Sequence, residues 1–304
     1  MRISEIISKG GRPFPSLEIV PPLKGIGKDE LVGTIRPFME FNPPYINVTR
    51  HRHEYEFVPR PDGSFERIQV RPRMDQADVC DAILGEFDTE VVPHIICGGA
   101  SAEDIRLQVR QLKDKGISNI LALRGDCLVG ERRFTPEPDG YRYASELVSA
   151  VKALEPELCI GVGAYPEKHF EAANLEEDIA NLRKKVDAGA DFIITQMFFD
   201  NAKFYDFTAR CREAGIDVPI IPGLKPITGP RHLELLPESF SIDIPEELCR
   251  EIRSHASDKQ ACYSIGREWC TAQCRDLLRH GVKAVHFYTM GKPDNVIAIL
   301  RECF

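Results

Sequence analysis

The chain has a single tryptophan, and its 39 lysines and arginines are outnumbered by 47 aspartates and glutamates, for a formal net charge of −8. That shortage of positive charge argues against a nucleic-acid or anionic-membrane surface, because both need concentrated Lys and Arg. No apolar run is long enough to span a bilayer, and "MRISEIISKG" lacks the apolar centre of a signal peptide. A cytoplasmic protein with neither nucleic acid nor membrane among its partners is expected. The ten cysteines have no framework spacing, so in a reducing compartment most read as small buried thiols. Cys270 and Cys274 are one helical turn apart with His280 nearby, but a metal site needs closer to four ligands, and no metal is expected. A complete glycine fingerprint is also missing. "GIG" (25–27) and "GVG" (161–163) both fail at the third glycine of GxGxxG, which falls on Glu30 and Pro166. A dinucleotide would have to be held without the Rossmann loop.

What is present is a rhythm. Short β-branched runs recur, each followed by a turn and a longer amphipathic segment: "SLEIV" (16–20), "YINVT" (45–49), "EVVPHII" (90–96), "NILAL" (119–123), "CIGVGAY" (159–165), "FIIT" (192–195), "VPIIP" (218–222) and "AVHFY" (284–288). Several are apolar on both faces, as parallel strands covered on both sides must be. Between them, "SAEDIRLQVRQLKDKG" starts at Ser101 with acidic residues in its first turn and stops at Gly116. "NLEEDIANLRKKVDAG" repeats that plan from Asn174 to Gly189, and residues 245–280 read as more than one helix. With no break in composition, the pattern predicts a single (β/α)8 TIM barrel over 1–304, with a doubly wound open sheet as the alternative. One insertion stands out at 53–75, where "EYEFV" and "SFERIQV" flank "RPDG" and predict a hairpin on the C-terminal rim. A lid, a subunit contact or a neutral insertion are all open readings.

In such a barrel the C-terminal strand ends converge on one mouth, so their polar residues matter most. In order they are Glu18, Thr49, His94, "LRGD" (123–126), "AYPEKH" (164–169), "TQMFFD" (195–200), "PGLKP" (222–226) and "HFYT" (286–289). Alternation puts Ser16, Glu18 and Val20 on one face and Leu17 and Ile19 on the other. If the aliphatic pair faces the helices, Glu18 points into the mouth, where desolvation favours the protonated form and prepares a general acid. A structural Glu paired with a cation is the plainer reading of that residue alone. Gly125 would let the backbone approach a planar ligand, and Asp126 could accept from a ring N–H. Gln196 offers a donor and an acceptor to a heterocycle edge. Phe198 and Phe199 read as core or wall.

Taken together, "SLEIVPP", "NVT", "PHIIC", "LRGD", "YASELV", "AYPEKH", "DIANLRKKVDAGADFIITQMFFD", "IPGLKP" and "HFYT" occur in an order that resembles methylenetetrahydrofolate reductase of the bacterial, single-domain type, from about Pro15 to Tyr288. The resemblance implies FAD held non-covalently at the mouth and a ping-pong reaction that feeds one-carbon metabolism and methionine synthesis. NADH or NADPH reduces flavin N5, and 5,10-methylenetetrahydrofolate then becomes 5-methyltetrahydrofolate. By resemblance Glu18 is the general acid, Asp126 a catalytic carboxylate near both flavin and pterin, and Gln196 a folate contact. Thr49, His94, Arg124, Gly125, Asp126, Tyr143, Ala164, Tyr165, His169, Asp178, Asn181, Lys184, Lys185 and Tyr288 match positions that hold FAD. A homo-oligomer is expected.

The chain departs from that pattern after strand seven. Bacterial relatives place an aromatic and an amide there for the nicotinamide, whereas this chain has His232 and Leu236. It also ends at Phe304, so the regulatory domain of eukaryotic members is not expected. Two other classes compete: a different flavin barrel of the proline-dehydrogenase kind, and a non-catalytic flavin or folate carrier. The first does not explain a strand-one Glu together with "LRGD" and "ITQ", and the second has no use for Glu18.

Overall fold

The structure is a computed structural model that describes residues 1–50, 52, 54–127, 133–289 and 293–304. Strands β1 (Phe14–Ile19), β2 (Tyr45–Val48), β3 (Glu54–Pro59), β4 (Phe65–Val70), β5 (Glu90–Ile96), β6 (Asn119–Leu123), β7 (Cys159–Ala164), β8 (Phe192–Met197), β9 (Ile220–Leu224) and β10 (Ala284–Phe287) follow in chain order. Eight of them close into a parallel barrel in the order β1-β10-β9-β8-β7-β6-β5-β2, while β3 and β4 form a separate antiparallel ribbon. The chain therefore adopts the (β/α)8 fold that its rhythm predicts. The ribbon is the expected hairpin; His53, the first residue of that insertion, lies outside the described residues.

The helices are α1 (Ile3–Ser8), α2 (Lys28–Ile35), α3 (Gln76–Leu84), α4 (Ala102–Asp114), α5 (Ala144–Leu154), α6 (Leu175–Asp187), α7 (Asn201–Glu213), α8 (His232–Phe240), α9 (Glu246–Ser254), α10 (Lys259–Arg279) and α11 (Pro293–Cys303). Their starts follow local chemistry. Ser101 accepts from the Asp104 N–H while Asp104 reaches back to the Ser101 N–H, a capping box, and Asn174 caps α6 by accepting from Glu177. Cys270 and Cys274 are buried on α10, and His280 instead contacts Tyr205 and Asp276. Among the described residues no group of three or more His, Cys, Asp or Glu side chains is placed to hold a metal.

β2, β7 and β10 end one residue earlier than expected and β8 runs two residues further, to Met197; β1 and β9 are displaced at their starts. β1 begins two residues early, at Phe14, because that residue pairs with Ala284 as the barrel closes; Val20 falls outside it. β9 lies two residues later than expected, taking in Gly223 and Leu224, which pair with His286 and Phe287. Pairing across the closure, rather than the apolar run itself, sets both limits.

Inside the barrel, Tyr45, Val92, Leu121, Phe192, Ile194 and Ile221 make an apolar floor, and Ile3 of α1 packs into its lower end. Outside, the floor strands meet the helices through two larger clusters, with Leu17 in one and Ile19 in the other. A fourth cluster, of α8, α9, α10 and the end of β8, includes Leu236.

Helix α10 reaches the barrel only because Gly266 has no side chain: a Cβ there would sit 1.8 Å from the Ile227 carbonyl oxygen. Backbone cannot rotate away as a side chain tip can, so Gly266→Ala should destabilise the fold by about 3 kcal/mol or more through overpacking. Gly33, inside α2 with nothing within 4 Å of its virtual Cβ, is the control; Gly33→Ala should gain up to about 1 kcal/mol of helix propensity. Urea denaturation of both variants measures the contrast, and equal effects would contradict the packing account.

Candidate active site

Glu18 lies near the C-terminal end of β1 with 7% of its surface exposed. Its alternating neighbours Leu17 and Ile19 are in the helix-facing clusters, so Glu18 faces the barrel interior as alternation predicts. One strand away, His286 is 1% exposed; its Nδ1 is 2.9 Å from Ser16 Oγ and its Nε2 is 4.0 Å from Glu18 Oε2. The backbone of Glu18 is also held, since Thr289 Oγ1 donates to its carbonyl at 2.9 Å. Tyr288 donates its hydroxyl to the Thr195 carbonyl at 2.7 Å, with its ring edge-on to His286. Burial pushes the Tyr288 phenol well up, and the Glu18 charge adds to that. The ring fits because Gly223 has no Cβ, which would lie 2.6 Å from Tyr288 Cε2.

Across the mouth, the ends of β2 and β5 are tied by Gln76, whose amide donates to the Val48 carbonyl at 2.8 Å and the His94 carbonyl at 3.0 Å, and accepts from Gln108 at 3.1 Å. The tie fixes Thr49 and His94, both buried. Thr49 Oγ1 has no hydrogen-bond partner among the described residues. Gln196 belongs to β8 rather than following it, at a break in register between Ile194 and Met197, and its side-chain oxygen accepts from the Met197 N–H at 2.9 Å. A bulge of this kind re-aims side chains at a barrel rim. Phe198 and Phe199 are buried in core clusters, as expected of wall residues.

The β6–β7 side gathers charge. Arg124 pairs with Glu171, lies 3.4 Å from His169 Nε2 and stacks over the Phe134 ring at 5.1 Å. Gly125 takes the left-handed φ of +83° that lets the chain turn, bringing Asp126 within electrostatic reach of Tyr165. Tyr165 meets His169 edge-on at 4.8 Å, and burial raises its phenol to about 12. His169 accepts from the Glu171 N–H on its ring Nδ1 at 3.1 Å, and its backbone N–H donates to the Asp178 carboxylate at 3.0 Å. Burial, then the Arg124 charge, lowers the His169 pKa to about 4. Lys185 donates to the Gly163 carbonyl at 2.8 Å, and burial brings it down to about 8 against the pull of Asp178. Burial in turn raises the Asp178 carboxyl.

Asp178, Asn181 and Lys185 share one stripe of α6, at i, i+3 and i+7. Lys184 is exposed beside them and donates to Asn181 Oδ1 at 2.8 Å. Ala164 ends β7, buried, whereas Tyr143 caps α5 half exposed on the rim. Leu236 is 2% exposed inside the α8–α10 cluster, so it presents no surface to a nicotinamide, and His232 accepts from the Thr228 N–H at 3.2 Å. The sequence reading did not single out Ser16, Gln76 or His286. The shared face of Ser16 and Glu18 was the available signal for Ser16.

The sequence model described as methylenetetrahydrofolate reductase matches residues 2–303. The 5,10-methylenetetrahydrofolate reductase of Escherichia coli is 31% identical over 284 residues, covering 93% of this chain and 88% of that protein. Methylenetetrahydrofolate reductase 1 of Schizosaccharomyces pombe is 35% identical over 225 residues, 74% of this chain but 37% of that protein, so the chain spans well under half the length of the yeast relative. Among solved structures, an uncharacterized Clostridium thermocellum protein that binds two copies of 5-methyl-5,6,7,8-tetrahydrofolic acid shares the fold with a TM-score of 0.68 at 15% identity, over 99% of this chain and 98% of that one.

A histidine with a depressed pKa makes stability depend on pH. Between about 4 and the unfolded value of 6.5 the unfolded chain binds the extra proton, so stability rises with pH across that window and is lost as pH falls through it. His169→Gln should flatten this slope, read by urea unfolding at pH 4.5 and 6.5. In the unaltered protein, the His169 ring resonances should stay in their neutral position down to near pH 4, and a midpoint near 6.5 would refute the buried assignment.

Proposed function

Because the chain belongs to the methylenetetrahydrofolate reductase family, we propose that it reduces 5,10-methylenetetrahydrofolate to 5-methyltetrahydrofolate with FAD as cofactor and NADH or NADPH as hydride donor. The observation that carries this reading is Glu18: a carboxyl on the inner face of the barrel at its mouth, almost dry and facing His286. A purely structural glutamate would be expected to pair with a lysine or arginine, and no such pair to Glu18 is present among the described residues.

The residues fit FAD on two counts. Arg124, Lys168 and Lys185 together depress His169, a local excess of positive charge that favours an anionic group such as a pyrophosphate. On the opposite rim, the buried Thr49 hydroxyl lacks a partner, which a bound ligand would supply. Thr49, His94, Arg124, Gly125, Asp126, Tyr143, Ala164, Tyr165, His169, Asp178, Asn181, Lys184, Lys185 and Tyr288 would hold it. When bound, FAD would supply the redox chemistry, relaying hydride from the nicotinamide to the folate in a ping-pong reaction.

The chain's own part is orientation and a proton. Glu18 holds a proton at its carboxyl oxygen and delivers it to the folate nitrogen as the five-membered ring opens, leaving an electrophilic iminium carbon. Asp126 and Gln196 hold the pterin against the rim, Gln196 through the amide NH2 that its bond to Met197 leaves available. The apolar floor beneath excludes water from the acid. A folate on this fold also accords with the Clostridium thermocellum neighbour. The single catalytic domain with a hairpin insertion at 53–75, acting as a homo-oligomer in the cytoplasm, belongs to the same reading.

Glu18→Gln should retain FAD and still be bleached by NADH, while the return of colour with methylenetetrahydrofolate slows by about 10²–10⁴-fold, the range for loss of a general acid. Normal folate reoxidation in that variant would refute the acid role. Asp126→Asn should slow the folate half-reaction and ease bleaching, because it removes a negative charge beside the ring being reduced. Both are read in anaerobic stopped-flow spectra. A purified protein that takes up no FAD would sink the whole proposal.

A further inference from the structure

Glu18 has neighbours on both sides in the sheet, and His286 accounts for only one of them. On the other side β2 sets Glu18 in register with Asn47, and registered residues of adjacent parallel strands project to the same face. That face is the barrel interior: Ile46 and Val48 pack in the helix-facing core, and Tyr45 lies in the interior cluster. Asn47 is completely buried, and neither its amide oxygen nor its amide nitrogen has a hydrogen-bond partner among the described residues. Its other registered neighbour, Val92, has no polar side-chain group. A buried primary amide with all its hydrogen-bonding capacity unused is destabilising, so its presence calls for a role. Glu18 is the polar group that the register places beside it.

We propose that Asn47 is a positioning residue for Glu18, its amide holding the carboxyl from the β2 side, directly or through one trapped water, while the Ser16–His286 pair bounds it from the β10 side. The inference rests on the assignment of Glu18 as the general acid. The choice of an amide follows from what that acid must do. Its carboxyl is protonated before the folate ring opens and ionised after, and it regains the proton before the next turnover. An amide NH2 donates to a carboxylate and an amide oxygen accepts from a carboxylic O–H, so a single neutral side chain serves both states. A lysine or arginine at 47 would hold the ionised form and withhold the proton, and an aspartate would hold the protonated form.

Asn47→Leu keeps the branched four-atom shape, with slightly more bulk, and removes the hydrogen bonds. Three measurements on the FAD-loaded protein decide the matter. The carboxyl stretch of Glu18, identified by its absence from the infrared spectrum of Glu18→Gln, should shift in Asn47→Leu. The folate half-reaction should slow by about 10- to 100-fold, the scale of a misplaced catalytic group, with folate KM and the NADH half-reaction little changed. The thermal midpoint should not fall, because an unpaired amide has given way to an apolar group. Asn47→Ala, which adds no bulk, is read in the same way should the leucine variant not fold. An unmoved Glu18 band with an unchanged folate rate would overturn the inference. Wild-type protein that binds FAD yet never turns over folate would instead overturn the acid reading itself, and this role with it.

Discussion

Closure of the barrel is the constraint on which the site depends. β1 and β10 are separated by most of the chain, yet Ser16 pairs with His286 and Leu17 with Phe287. That pairing is what buries a carboxyl within an apolar run. Without β10, Glu18 would sit on an open sheet edge, solvated and unfixed; with it, the carboxyl is enclosed by His286 and Tyr288 while Thr289 holds its backbone. The loop-closure entropy for so long a separation grows only logarithmically. The register is enforced at both ends of the strand, by Phe14 meeting Ala284 below and Thr289 reaching Glu18 above.

The two walls of the mouth solve opposite electrostatic problems. On the β1–β10–β2 side the one carboxyl, Glu18, has no lysine or arginine beside it among the described residues and faces His286 at 4.0 Å. On the β6–β7–α6 side, Arg124, Lys168 and Lys185 stand among Asp126, Glu171 and Asp178, and burial, then the Arg124 charge, lowers the imidazole of His169 to about 4. Lys185, at about 8, yields in the same direction. The charged side chains are thus concentrated on one wall of the mouth, away from Glu18.

Much of this was legible in the residues. The period-2 alternation of "SLEIV" identified the face of Glu18, because Leu17 and Ile19 are too apolar to point anywhere but the helices. The caps at Ser101 and Asn174 were readable because a side-chain acceptor three residues before an N–H is a local matter. What could not be read depends on partners far along the chain. The ends of β1 and β9 moved by two residues because β10 sets them, and Gln196 sits in a bulge that only the pairing of β8 with β9 produces. His286 was not distinguished within "HFYT", since nothing nearby in sequence shows that Ser16 and Glu18 will stand against it. Leu236 fell where the resemblance suggested a ligand contact, and the fold spends it on a core that α8, α9 and α10 share.

The insertion at 53–75 illustrates how position in a barrel gives meaning to a segment that has little stability of its own. A two-stranded ribbon in water is marginal by itself, and this one leaves Phe57 and Phe65 about two-thirds exposed. Its anchorage comes from the stalk. Lys24 donates its N–H to the Pro72 carbonyl at 2.7 Å, Met74 donates to Pro22 at 2.8 Å, and the Arg73 guanidinium reaches the Pro21 carbonyl at 2.8 Å. Leu23 and Arg73 complete a short antiparallel bridge. Each of these contacts falls on the "PPLK" turn that leaves β1, within a few residues of Glu18. The two prolines that end the apolar run therefore do more than stop a strand. They have no N–H to continue the ladder, and their carbonyls accept from Arg73 and Met74 of the stalk. The backbone around Glu18 is thereby held from three directions: β10 and β2 in the sheet, and the hairpin stalk above the turn.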